Sequence, residues 1–64
     1  MNVKLARIKA GFTQTQLCKM VKTSPKKLVE IERDHYENVT KGLMERIATA
    51  LSSDVQELFF SDEQ

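Results

Sequence analysis

The sequence is poor in most of what staples, kinks or anchors a chain. Its 64 residues include one cysteine, one proline, two glycines, one histidine and no tryptophan. A lone Cys18 excludes an internal disulfide and cannot supply a zinc site by itself. No apolar run is longer than Leu58-Phe59-Phe60, so no bilayer span and no signal-peptide core is expected. A secreted domain of this size would ordinarily need disulfide staples, which makes the cytosol, and so a cytoplasmic protein, the expectation. There is no Ser-His-Asp set, no glycine-rich phosphate loop and no Cys/His metal spacing. An enzyme, a cofactor and a bound metal are therefore not expected. Linkers, repeats and low-complexity tracts are also missing, and the expectation is a single domain over residues 1–64. So short a chain buries only about 60% of the surface it exposes when unfolded, leaving a thin core and little room for an enclosed cavity.

What is present is charge, unevenly placed. The formal net charge is only +1. Residues 1–33 nevertheless carry six lysines and two arginines against Glu30 and Glu32, a net of +6. Residues 34–64 carry Lys41 and Arg46 against three aspartates and four glutamates, a net of −5. Either this split is an ordinary solvated surface, or the basic half is where a polyanion binds.

Strand signals are nearly absent, whereas helix starts recur at short intervals. The clearest is Phe12-Thr13-Gln14-Thr15-Gln16-Leu17. Thr13 is placed to cap the Gln16 amide while the Gln16 side chain reaches back, and Phe12 and Leu17 are spaced as a hydrophobic staple. Gly11 ends a preceding helix, Val3 to Ala10. The second helix runs from about Gln14 to Val21. Ser24 followed by Pro25 at the first helical position opens a third, about Pro25 to Arg33, buried through Leu28 and Ile31. After a loop from Asp34 to Val39, Thr40 caps a fourth helix, about Lys41 to Leu51, whose Leu43, Met44, Ile47, Ala48 and Leu51 share one face. Asp54 caps a short fifth helix, Val55 to about Phe60. The tail from Ser61 to Gln64 reads as frayed. The chain is thus all-α, five short helices, and its second and third helices, joined by a tight turn over about residues 14–33, have the layout of a helix-turn-helix.

The segment Gly11-Phe12-Thr13-Gln14-Thr15-Gln16-Leu17-Cys18 resembles the Gly-Leu-Thr-Gln-x-x-Leu-Ala opening of the Cro/phage-repressor (XRE-type) helix-turn-helix family. The likeness continues through Ser24, Leu28, Ile31-Glu32-Arg33, Ile47-Ala48-x-Ala50-Leu51 and Val55-x-Glu57-Leu58, covering about residues 3–60. It implies a five-helix, lambda-repressor-like DNA-binding domain, usually dimeric, that regulates transcription in bacteria, phages and mobile elements. It also implies an ion pair between Arg7 and Glu32, which the sequence alone would leave on the surface. Three positions depart from the family pattern. Lys22 stands where the turn usually has glycine, Cys18 where alanine is preferred, and Ser53 where an apolar residue often precedes the last helix.

On this reading the protein binds double-stranded DNA as a sequence-specific regulator, a repressor, with the third helix in the major groove of an inverted repeat. Base edges are assigned to Pro25, Lys26, Lys27, Val29 and Glu30. Phosphates are assigned to Thr13, Gln14, Thr15, Lys22, Thr23, Thr40, Lys41 and Gly42, because helix N-termini hold anions with backbone N–H groups and the helix dipole. A homodimer interface is assigned to Phe59, Phe60, Val39 and Ser52, since one of the two rings should point outward. The alternative is an antitoxin-like or other protein-interaction module of the same fold, with a protein partner. Cys18 reads as a small core residue against a redox-sensing thiol. His35-Tyr36 reads either as a solvated turn with Tyr36 across the core edge or as a phosphate or sugar contact.

Overall fold

The computed structural model describes residues 2–60. Five helices follow one another: α1 (Val3–Ala10), α2 (Gln14–Val21), α3 (Pro25–Glu32), α4 (Lys41–Ala50) and α5 (Val55–Phe59). No strand occurs among the described residues.

Each helix starts on a side-chain oxygen that satisfies an otherwise orphaned amide of the first turn. Thr13 Oγ1 accepts from the Gln16 amide at 3.0 Å while Gln16 Oε1 accepts from the Thr13 amide at 2.9 Å, completing the capping box. Ser24 Oγ accepts from Lys27 N, Thr40 Oγ1 from Leu43 N and Asp54 Oδ1 from Glu57 N. Asn2 Oδ1 does the same for Leu5 N at 2.9 Å and defines the start of α1.

The helix ends differ slightly from expectation. Arg33, Leu51 and Phe60 are half-in caps with ψ near zero, so α3, α4 and α5 each stop one residue earlier than the sequence suggested. Gly11 closes α1 at φ 86°, where a side chain would be strained. Lys22 closes α2 in the left-handed region at φ 60° without the benefit of glycine, at a cost of about 1 kcal/mol.

Packing is continuous around α2 and α4. α2 lies on both α3 and α4, α4 also carries α5, and α1 closes the bundle against α3 and α5. Leu17 and Val21 from α2, Leu28 and Ile31 from α3, Ile47 from α4 and Val3 from α1 are fully enclosed. Cys18 is buried among them. Burial, and after it the Glu32 carboxylate, pushes the thiol up from its ordinary value. A thiol kept protonated is a poor nucleophile, and Cys18 behaves as a small packing residue.

Candidate nucleic-acid interface

The site is built on α3, and the mounting of that helix explains which residues it presents. Leu28, Ile31 and Glu32 face inward against α1 and α2. Pro25 and Lys26 are left exposed, and Lys27, Val29 and Glu30 are half-buried. The polar N-terminal part of α3 is therefore its outward part.

Glu32 fixes this orientation. One carboxylate oxygen accepts from Arg7 Nε at 2.6 Å and the other from Gln14 Nε2 at 2.9 Å. Arg7 Nη1 in turn donates to the Phe12 carbonyl at 2.8 Å. The Arg7 and Glu32 side chains are only 11% and 5% exposed. A buried pair is costly to desolvate, but here both carboxylate oxygens and the Nε and Nη1 atoms of the guanidinium have partners. The result is a polar bolt that joins α1, the start of α2 and the end of α3.

Besides the capping hydroxyls of Thr13 and Thr40, two assigned side chains are already engaged inside the molecule. The Gln14 amide is spent on Glu32, so its side chain is committed to the bolt and only its backbone N–H remains for an anion. Lys27 leaves α3 toward the α3–α4 loop, where Nζ donates to the Asn38 carbonyl at 2.9 Å. In the free protein that exposed hydrogen bond holds its ammonium at the loop rather than beside Lys26. The sequence held no signal for it, because Asn38 lies outside the helical register of Lys27.

The other polar candidates sit at helix ends. Thr13, Thr15, Thr40, Lys41 and Gly42 are exposed at the first turns of α2 and α4, and Lys22 is exposed in the turn with Thr23 half-buried beside it. First-turn amides lack intrahelical partners and carry the positive end of the helix dipole, the chemistry that holds phosphate. Arg46, unassigned from sequence, also reaches this region: its Nε donates to the Val21 carbonyl at 3.0 Å.

The C-terminal candidates separate. Phe59 is a core residue, 6% exposed, with its ring edge-on to Tyr36 at 5.1 Å. Of the two rings it is the one that points inward. Phe60 is 49% exposed and tilts against Phe59 at 6.4 Å. Val39 is half-buried on the core, its amide bonded to the Tyr36 carbonyl, and Ser52 is exposed in the α4–α5 connection. Tyr36 lies across the core edge and its hydroxyl donates to Asp34 Oδ1 at 2.6 Å.

Among the described residues, no cluster of three or more His, Cys, Asp or Glu side chains is placed to hold a metal ion. Nor is any helix among them long and apolar enough to cross a membrane. No curated protein and no solved structure matches the chain. A family model described as helix-turn-helix matches residues 3–58, nearly the whole sequence. That family is one of DNA-binding regulators rather than of enzymes. The five capped helices, the α3 mounting and this match agree, and the chain belongs to the XRE-type helix-turn-helix family of DNA-binding regulators.

Proposed function

We propose that the protein is a cytoplasmic repressor that binds an inverted-repeat operator as a two-fold homodimer, with α3 in the major groove. The observation that carries this is the asymmetry of α3: its C-terminal half is bolted inward through Ile31 and Glu32 while Pro25 and Lys26 stand exposed. The major groove admits an α-helix and presents a distinct pattern for each base pair. Lys26 suits guanine O6 and N7, and Glu30, one turn on, accepts from cytosine N4. Pro25 and Val29 offer apolar contact to a thymine methyl. The amides of Gln14 and Thr15, with Thr13, hold one stretch of phosphate. Thr40, Lys41 and Gly42 hold another, and Lys22 and Thr23 lie at the turn.

A two-fold dimer would place its recognition helices about 34 Å apart, one turn of the duplex. Phe60 is the apolar anchor for that assembly, with Val39 and Ser52 at its margin. Selection of bound sequences from a random duplex pool at fixed salt should return an inverted repeat. Sedimentation should show a dimer on that site, and Phe60→Glu should weaken both assembly and binding, because a charge in an apolar contact loses solvation without a partner. A Phe60→Glu protein that still assembles on the repeat like the parent would remove Phe60 from the interface. A selected site without two-fold symmetry would remove the dimer.

One observation favours the second reading, a module that also binds a protein. Leu5 and Ile8 are 57% and 54% exposed on α1, an apolar surface that DNA recognition leaves unused.

A further inference from the structure

The segments assigned to phosphate, the α2–α3 turn and the start of α4, are far apart in sequence, and the spacing between them must match the DNA backbone. Arg46 joins them. It leaves α4 one turn after Gly42, and a helical side chain leans toward the N-terminus of its own helix. Its Nε donates to the carbonyl of Val21, the last residue of α2, at 3.0 Å. The next residue is the left-handed Lys22. The Nη1 of Arg46 lies beside the first turn of its own helix, 3.8 Å from where a Cβ on Gly42 would stand. One guanidinium therefore touches the end of α2 and covers the beginning of α4. Separately, Lys27 ties α3 to the Asn38 carbonyl, two residues before the Thr40 cap.

We propose that Arg46 is a positioning residue for DNA binding: its guanidinium holds the α2–α3 turn against the first turn of α4, so that Lys22–Thr23 and Thr40–Gly42 meet one DNA backbone in register. The inference rests on the DNA-binding reading above. Arginine suits the task because its planar fork donates through Nε while Nη1 rides over the neighbouring turn. A lysine keeps the charge but offers a single ammonium on a flexible stem, which cannot occupy both places. Without the strut the spacing between the α2–α3 turn and the start of α4 must be fixed at the moment of binding, and that cost is subtracted from affinity.

The test is a double-mutant cycle on a random-sequence duplex at low salt, where phosphate contacts supply essentially all the binding. Anisotropy titrations compare the parent, Arg46→Lys, Lys41→Ala and the double variant, with thermal melts showing that each is folded. The expectation is that Arg46→Lys weakens binding about five- to tenfold, the worth of one hydrogen bond, with the salt slope unchanged. Lys41→Ala should then cost less in the Arg46→Lys background, because its contact is already out of register. Arg46→Met, which removes the hydrogen bond to Val21 outright, should show the same coupling to Lys41 and supplies the result if Arg46→Lys does not fold. Additive losses would reduce Arg46 to a stabilising cap on α2 and overturn the proposal. Parent-like binding by Arg46→Lys would overturn it as well, and a salt slope lowered by about one in Arg46→Met would then mark a direct phosphate contact. A parent protein that binds no duplex at low salt would defeat the DNA-binding reading itself, and this inference with it.

Discussion

Glu32→Ala should unfold much of the population at room temperature or leave a domain that melts far below the parent. Removing the carboxylate strands the Arg7 guanidinium, 11% exposed, and leaves the Gln14 amide without its acceptor. Breaking a buried pair from one side typically costs about 3–5 kcal/mol, because the surviving charge stays buried and unpaired. A domain of this length has a total stability of only about 3–10 kcal/mol at ordinary values per residue. The corresponding fall in melting temperature, at about 4–8 °C per kcal/mol for small domains, is tens of degrees. Circular dichroism melts read this directly. Arg7→Met with Glu32→Leu should recover most of the loss, since an apolar pair of similar volume has no desolvation to offset. A single Glu32→Ala protein that melts within a few degrees of the parent would mean the bolt contributes nothing.

DNA affinity should fall steeply with salt. On the proposed reading, the basic first half and the first turns of α2 and α4 supply several phosphate contacts per subunit. If a dimer neutralises about six to ten phosphates, affinity drops about 10³–10⁵-fold between roughly 50 and 200 mM monovalent salt. Titrations at four or five salt concentrations give the slope. A nearly flat response would mean that phosphate neutralisation is not what drives binding and would favour the protein-interaction module, with Leu5 and Ile8 as its contact surface.

The helices were legible because their signals are local. Thr13 with Gln16, Ser24 with Pro25, and Thr40 each specify a start within four residues, and the apolar faces follow from period. The requirement for a left-handed residue at Lys22 came from resemblance, and it holds because the turn geometry tolerates the strain. The contacts that span the fold were not legible in the residues themselves; only the resemblance implied the pairing of Arg7 with Glu32 that the structure contains. Arg7 and Glu32 are far apart in the chain, and nothing in their own neighbourhoods marks them as buried. Lys27 projects from the outer part of α3, and nothing local shows that its stem reaches the Asn38 carbonyl in the next loop. Phe59 and Phe60 are adjacent and alike in chemistry, and only the seat offered by Tyr36 sends Phe59 inward and leaves Phe60 out. Arg46 went unassigned for the same reason: its partner belongs to another helix.

The most direct measurement of the central claim, that α3 reads bases, is a competition among single-base variants of the selected site. The parent is compared with Lys26→Ala, Glu30→Ala and Lys41→Ala. If α3 reads bases, Lys26→Ala costs about 1–3 kcal/mol on the preferred site and flattens discrimination at one position. Glu30→Ala should relax discrimination at a neighbouring position. Lys41→Ala should weaken every sequence alike and lower the salt slope by about one. Uniform weakening by the Lys26 and Glu30 substitutions, with discrimination intact at every position, would contradict base reading by α3 through these residues.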